Sequence, residues 1–260
     1  MQSRSYLWGL RVLPILALVQ VLYSTVPMET ETANTQPRHG FEGDLAFEYQ
    51  ISSQGSEMAL PVALEYGLLD NLELLLEPVL YTAILPKAGA NHVGLGDLEA
   101  TLNWRCLDEG SRLPAFALAA EVKLPTAKDS LIGTGKADYT GYLVATKAFG
   151  PVQLHGNVGY TFQGSPKGTS LSNLISFAFA VDHAGTGRWQ WMAEVLGNSP
   201  IGSGATVAEN PVVPEAAGGE LVGTVGVRYF FLRNLALAFG ASYDNSQALQ
   251  LAPGLILAFH

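Results

Sequence analysis

The feature that most constrains the fold of this chain is a repeated alternation of apolar and polar residues with a period of two. The clearest example runs from Leu45 to Ser52. Successive side chains of a β-strand point to opposite faces of its sheet, so the pattern predicts a strand with one apolar and one polar face. The same pattern predicts about twelve strands, in the segments 45–52, 58–68, 72–81, 97–106, 116–124, 139–149, 152–162, 175–182, 189–197, 220–231, 235–243 and 248–259.

The connections between these segments alternate in length. The short ones follow the even-numbered strands and comprise residues 70–71, 107–112, 150–151, 184–188 and 233–234. Longer polar connections follow most of the odd-numbered strands, and the longest covers residues 198–219. Transmembrane barrels of bacterial outer membranes have short periplasmic turns and longer outer loops, so this layout favours that class of fold.

The composition separates a membrane barrel from a soluble β-protein. A soluble barrel or sandwich also alternates, but its polar face carries many charged residues into water. Here only 14% of residues are charged and 48% are hydrophobic, against about 25% charged in a typical soluble protein. No apolar run after the N-terminus reaches the roughly 18 residues of a transmembrane helix. We therefore expect an all-β fold, a closed antiparallel transmembrane β-barrel of about twelve strands.

The two ends of the chain carry export and assembly signals. Arg4 and Arg11 with the apolar stretch 12–22 predict a signal peptide over residues 1–28, cleaved somewhere between 24 and 35. A polar segment, 29–43, would precede a barrel formed by 44–260, and the sequence leaves open whether residues 29–39 plug the lumen. The last strand, 251–260, alternates and ends near Phe259, as expected of a strand recognised by the bacterial barrel-assembly machinery.

The polar faces of the strands supply the candidate functional residues, because they would line the lumen. An acidic lining would favour cations over anions. Alternatively, Glu121, Lys123, Glu194 and Arg228 pair into a structural network that fills a narrow barrel, since buried charges must be paired or solvated. The predicted lining comprises Glu48, Glu65, Glu73, Glu77, Asp97, Glu99, Arg105, Glu121, Lys123, Lys147, His155, Asp182, Glu194 and Arg228.

Several other functions are disfavoured by the same residues. A net charge of −9 without a Lys/Arg cluster argues against nucleic acid as a partner. The single cysteine, Cys106, and five scattered histidines predict neither a disulfide nor a metal site or other cofactor. An outer-membrane lipid-modifying enzyme would need a Ser–His pair, and no histidine has a serine two residues away.

Three motifs give the chain a resemblance to a known family. They are Gly94–Leu98 (GLGDL), the pair Val122–Thr126 (VKLPT) and Gly133–Lys136 (GTGK), and His155–Tyr160 (HGNVGY). Over roughly residues 41–259 the chain resembles the outer-membrane transporter family labelled for the meta-pathway of phenol degradation. The resemblance implies a bacterial outer-membrane barrel that passes small aromatic or other hydrophobic molecules. We therefore expect a passive channel surrounded by outer-membrane lipids, with a non-conducting structural or adhesion barrel as the alternative.

Overall fold

The computed structural model describes residues 27–168, 170–184, 187–201 and 219–259. Within these ranges, no helix is long and apolar enough to cross a membrane. The regular structure consists of β1 (Phe41–Ala46), β2 (Glu48–Ile51), β3 (Gly55–Leu69), β4 (Leu72–Pro86), β5 (His92–Gly94), β6 (Leu98–Leu107), β7 (Ala115–Leu124), β8 (Asp138–Phe149), β9 (Val152–Phe162), β10 (Asn173–Ala184), β11 (Trp189–Ile201), β12 (Leu221–Leu232), β13 (Leu235–Asp244) and β14 (Leu249–Phe259).

These strands form one closed antiparallel barrel. Strands β1 and β2 both pair with β3 and β14, so they are two halves of one barrel strand. Strands β5 and β6 pair in turn with β4 and form another. Closure is complete because β14 pairs with β13 on one side and with β1 on the other, where Phe41 faces Phe259. The predicted closed barrel of about twelve strands is confirmed: its wall has twelve positions around the circumference.

The outer surface of the barrel is apolar, as the alternation predicts. Val225 and Trp191 are about 60% exposed. Exposing apolar side chains to this extent is unfavourable in water but not in lipid. Strand β8, whose phase is ambiguous in the sequence, turns Tyr139 and Leu143 outward and buries Thr146. Aromatic rings cluster near strand ends on this surface, with the Trp189 and Tyr229 ring centroids 4.6 Å apart. Such an apolar belt with aromatic borders fits a lipid bilayer.

The segment that precedes β1 lies inside the barrel, which answers the question left open by the sequence. Thr30, Ala33 and Gln36 are each fully buried among side chains of the inner wall. We call residues 27–37 the N-terminal plug. The first barrel strand begins at Phe41, slightly before the predicted start at 44. The predicted signal peptide falls largely outside the described residues, but Pro27 and Met28, at its predicted end, belong to the plug.

Glycines of the wall make room for the plug. A Cβ at Gly67 would lie 2.0 Å from the carbonyl oxygen of Pro37, and a Cβ at Gly226 would lie 2.5 Å from the ring of Pro27. Any side chain at these two positions would collide with the plug. The small residues on the inner faces of the strands therefore leave the space that the plug occupies.

Candidate functional site in the barrel lumen

Glu194 on β11 holds the upper end of the plug. Its Oε2 atom accepts hydrogen bonds from the backbone nitrogens of Glu29, at 3.0 Å, and Thr30, at 2.8 Å. The Thr30 hydroxyl donates to the same oxygen at 2.5 Å. Glu194 is only 4% exposed, so these bonds replace its lost hydration. Hydrogen bonds to an ionised acceptor are the stronger kind, and this carboxylate is a main attachment point of the plug.

The rest of the plug is held by side chains from several strands. The Ala33 nitrogen donates to Thr146 Oγ1 on β8 at 2.9 Å. Asn103 on β6 donates to the Thr32 carbonyl at 3.0 Å, and the Gln36 nitrogen donates to Glu73 on β4 at 2.6 Å. The plug has no regular secondary structure, so the wall supplies the partners that its buried backbone groups require.

Replacing Glu194 by Gln is expected to loosen the plug without unfolding the barrel. The substitution removes the charge that strengthens three hydrogen bonds, a loss of about 1–2 kcal/mol and hence roughly a tenfold larger undocked fraction. A cysteine at Thr32, with the native cysteine replaced by serine, reports docking through its rate of reaction with a soluble maleimide. Asp108→Asn, which removes a carboxylate from an exposed turn outside the lumen, is the control. Equal labelling rates in both variants would show that Glu194 does not anchor the plug.

In the lower part of the lumen, a chain of buried polar side chains crosses five neighbouring strands. Arg228 Nη1 donates to Gln190 Oε1 at 3.4 Å, and Gln190 Nε2 donates to Asp182 Oδ1 at 3.1 Å. Asp182 Oδ2 lies 2.9 Å from His155 Nε2, and His155 Nδ1 lies 3.0 Å from Thr146 Oγ1. Because Thr146 Oγ1 also accepts a hydrogen bond from the backbone nitrogen of Ala33 in the plug, this series of hydrogen-bonded side chains links the wall to the plug.

The Thr146–His155–Asp182 arrangement resembles a nucleophile–base–acid triad, but its surroundings give it a structural role. Thr146 and His155 are each 2% exposed. The threonine oxygen already accepts the Ala33 N–H, which places the plug where a substrate would have to sit. The sequence search for a serine near each histidine missed this contact, because Thr146 pairs with His155 across two strands.

Three carboxylates gather on the inner face of β1 and β3. The ligand oxygens of Glu42, Asp44 and Glu65 lie within 4.8 Å of one another, a set that could hold a cation. The Gln36 amide nitrogen lies 2.9 Å from Glu65 and 3.3 Å from Glu42. The buried guanidinium of Arg228 interacts electrostatically with all three carboxylates, so it already supplies positive charge there. Glu42 and Asp44 are not among the predicted lining residues, because Glu42 lies in the segment expected to precede the barrel and Asp44 is the first residue of the predicted barrel.

Above the plug, the lumen contains a cavity of about 740 Å³ with strongly acidic walls. Lys123 provides the sole ammonium group among the described lining residues, and it forms an ion pair with Asp138. Carboxyl groups therefore far outnumber cationic groups on the wall of the cavity. Eleven carboxyl side chains line it: Glu29, Glu31, Asp44, Glu48, Glu57, Glu65, Glu77, Asp97, Glu99, Glu121 and Glu220.

The loop between β7 and β8 covers part of this cavity. Residues 130–134 of the loop line it. The Ala127 nitrogen donates to Asp97 Oδ1 at 2.9 Å, and Thr126 donates to the Gly96 carbonyl at 2.9 Å. Farther out, the Asp129 Oδ2 atom lies 2.8 Å from His92 Nδ1. The hydrogen bond from the Leu131 backbone N–H and, to a smaller extent, the one from His92 lower the pKa of Asp129. Asp97, predicted as a lining residue, thus also fixes the loop.

The predicted lining residues fall into three groups. The first group lines the cavity and comprises Glu48, Glu65, Glu77, Asp97, Glu99, Glu121 and Lys123. The second group lies lower in the lumen, around the plug, and comprises Glu73, His155, Asp182, Glu194 and Arg228. The third group lies at a turn outside the lumen, where Arg105 contacts Asp108 and Lys147 contacts Glu109.

The hypothesis of one network joining Glu121, Lys123, Glu194 and Arg228 needs correction. Lys123 pairs with Asp138, and Glu121 accepts hydrogen bonds from Thr140 and Tyr142. Glu194 binds the plug, and Arg228 contacts Gln190. Glu121 and Lys123 are neighbours on one face of β7, whereas Glu194 lies on β11 and Arg228 on β12, and the bonds of these last two residues lead to other partners.

Two plug carboxyls have strongly altered acidity. The loss of hydration inside the barrel and, to a smaller extent, the neighbouring Glu194 carboxylate raise the pKa of Glu29 to about 8, although this side chain is open to the cavity. Burial, followed by Glu121, raises the pKa of Glu31 to about 8. Both side chains belong to the plug and face cavity carboxylates rather than cations. The remaining groups that raise the two values are Glu48, Glu73, Glu99 and Glu220.

Docking of the plug is therefore expected to weaken as pH rises. An undocked Glu29 or Glu31 ionises near the ordinary value of 4.5, whereas the docked groups ionise near 8. Raising the pH between these values stabilises the undocked state, so docking is strongest below about pH 4.5 and weakest above about pH 8. The maleimide reaction of Thr32→Cys should accelerate over this range. A Glu29→Gln/Glu31→Gln variant should flatten the profile, and an unchanged profile in that variant would contradict the assignment.

Comparison with known proteins supports the fold. No protein-family model matches the chain, and no curated protein matches it. Among solved structures, the COG4313 outer membrane channel from Pseudomonas putida F1 is similar with a TM-score of 0.64 at 12% identity, covering 89% of this chain and 100% of that one. The NanC porin has a TM-score of 0.60 at 10% identity, covering 83% and 98%. The KdgM porin in complex with disordered oligogalacturonate has a TM-score of 0.54 at 11% identity, covering 84% and 99%.

At such low identity, these similarities establish a shared fold. The closed barrel, its apolar outer belt and this fold define the chain as a β-barrel protein of the bacterial outer membrane, the location predicted from the sequence. Membership in the phenol-degradation family stays a prediction.

Proposed function

We propose that this protein is an outer-membrane channel for the passive uptake of small molecules. The observation that carries the proposal is the cavity of about 740 Å³ inside the closed barrel, walled by charged side chains. Ionised groups in a lumen require water or counterions, so such a wall is suited to a wet path. The plug narrows the lower part of the path and limits the size of the solute.

The wall also sets the charge preference of this channel. Eleven carboxyl side chains face the cavity, and the single ammonium of Lys123 is held by Asp138. A ring of carboxylates lowers the energy of a cation in a pore and raises that of an anion. Small cations and neutral solutes should therefore pass more readily than anions of the same size.

The resemblance to the phenol-degradation family adds aromatic and hydrophobic molecules as a solute class. Apolar side chains that line the cavity support this finer proposal, among them Leu75, Val79 and Ile132. They offer a neutral aromatic ring a surface between the carboxylates.

A liposome swelling assay tests the proposed function. Vesicles with the refolded protein are placed in isosmotic solutions of a small cationic, neutral or anionic solute, or of a small neutral phenol. We expect swelling in the order cationic, neutral, anionic, with the phenol compared against a neutral polar solute of equal size. Vesicles that swell no faster than protein-free ones in every solute would contradict a channel.

One observation favours a second candidate, a non-conducting structural or adhesion barrel. The plug is hydrogen bonded to the wall from β4, β6, β8 and β11, which would suit a permanent seal. In that case the outer loops would carry the function, and the swelling assay would give no signal from a correctly folded, heat-modifiable barrel.

A further inference from the structure

The carboxylates of the cavity stand on both its floor and its walls. Glu29 and Glu31 project from the plug, while Glu48, Glu77 and Glu99 project from β2, β4 and β6. Their electrostatic influence is mutual: Glu77 lies close enough to Glu29, Glu31 and Glu99 for each to act on it. The floor and the walls thus present one continuous acidic surface.

These five carboxyl groups form few interactions with cationic groups of the protein, the electrostatic influence of Lys123 on Glu99 being one. Across the parts of the chain that the structure describes, no side chain or backbone N–H donates a hydrogen bond to them, and no cation forms an ion pair with them. Glu31 and Glu77 are half-buried side chains that face the cavity. A carboxyl group without a protein partner either keeps its proton or needs a cation from solution when it ionises, so these side chains point to a cationic ligand.

The spacing of the carboxylates decides the kind of cation. Among the described residues, Glu42, Asp44 and Glu65 form the one group of three or more whose ligand atoms lie within 4.8 Å of one another. The guanidinium of Arg228 already supplies positive charge to that group. The five carboxylates of the floor and walls are more widely spread, so no three of them are placed to bind one compact metal ion together. A ligand with several positive charges at separate points matches the arrangement better.

Apolar side chains lie between the charges. On β4, Leu75 and Val79 flank Glu77 on the same face of the strand, and all three line the cavity. Ile132 from the covering loop lines it as well. A chain of methylene groups can pack on such apolar surface while its charged ends reach the carboxylates.

We propose that the cavity binds linear aliphatic polyamines, molecules whose ammonium groups are separated by short methylene chains. This names a solute class for the proposed channel and, as a route of uptake, rests on that proposed function. Each ammonium would donate hydrogen bonds to carboxylates of the wall or the plug, and the methylenes would lie against Leu75, Val79 and Ile132. The acidity of the two plug carboxyls adds a consequence: because the pKa of Glu29 and of Glu31 is about 8, polyamine binding at neutral pH should release protons.

The test is isothermal titration of the refolded full-length protein in detergent, at low ionic strength, with spermidine as the probe. Butylamine and Mg²⁺ are titrated in parallel, and two buffers of different ionisation enthalpy report proton release. We expect spermidine to bind more tightly than either comparison cation. The Glu77→Gln/Glu99→Gln variant should weaken spermidine binding by roughly tenfold or more, because it removes two of the facing charges.

An Asp108→Asn/Glu109→Gln variant is the matched control, since it removes two carboxylates from a turn outside the cavity; its affinity should stay unchanged. The proposal is overturned if spermidine gives no binding heat, if Mg²⁺ binds as tightly, or if both double variants bind alike. Heat-modifiable migration verifies that each variant is folded. Binding without any solute flux would contradict the channel while sustaining this site, whereas flux without spermidine binding would do the reverse.

Discussion

Deleting residues 27–37 is expected to raise the single-channel conductance of the barrel by at least about threefold, because a twelve-strand barrel encloses a channel whose width depends on what fills it. The plug occupies the lower lumen, and its removal leaves a path bordered by glycines such as Gly67 and Gly226. The barrel itself should persist, since its closure depends on pairing of β14 with β1 and β13. Conductance of the refolded deletion variant in a planar bilayer measures the effect.

A pair of glycine substitutions displaces the plug without deleting it and includes its own control. An alanine Cβ at Gly67 would lie 2.0 Å from the Pro37 carbonyl oxygen, so Gly67→Ala must displace the plug. At Gly156, also within a strand, the nearest atom is the Ala178 carbonyl oxygen at 3.8 Å. Gly67→Ala should raise conductance and Gly156→Ala should leave it unchanged. Unaltered conductance in both the deletion and Gly67→Ala would show that the plug does not obstruct the path.

The second large effect is expected from Arg228→Met, which should destabilise the barrel by about 3–5 kcal/mol. Arg228 is 2% exposed and interacts electrostatically with Asp44, Glu42, Asp182 and Glu65. Methionine fills a similar volume but leaves these carboxylates without their nearby cation. Reversible unfolding in urea, with the protein in lipid vesicles, gives the change in the free energy of unfolding.

Arg105→Met is the matched control for that measurement. Arg105 forms its ion pair with Asp108, whose side chain is 86% exposed, and an exposed pair of this kind contributes less than about 1 kcal/mol. If the two methionine variants lose equal stability, the buried charges around Arg228 are compensated by something other than its guanidinium.

The barrel could be predicted from the sequence because strand alternation is a local property. The polar faces of Leu98–Leu107 and Ala115–Leu124 identify Glu99, Glu121 and Lys123 as inward residues without any knowledge of their neighbours. A membrane barrel has an apolar outer surface that faces lipid and therefore needs few charged residues there. The low fraction of charged residues thus favoured a membrane barrel over a soluble one. The direction in which most lining residues point followed from this reasoning alone.

The internal contacts could not be predicted in the same way, because they join residues far apart in the chain. Glu194 binds Thr30, which is 164 residues away, and no periodicity marks the plug as buried. The bond between Thr146 and His155 depends on the register of β8 against β9. Glu42 and Asp44 were the exception, since the alternation from Ala46 continues back through them and a longer first strand would have included both.

The most direct test of the account is the reversal potential of the intact, refolded protein in a planar bilayer under a tenfold KCl gradient. A channel lined by eleven carboxyl groups should carry potassium in preference to chloride, so the current should reverse at a potential close to that of potassium. Glu77→Gln/Glu99→Gln should move that value toward zero. A reversal potential on the chloride side, or a folded barrel that carries no current even without residues 27–37, would contradict an acidic channel.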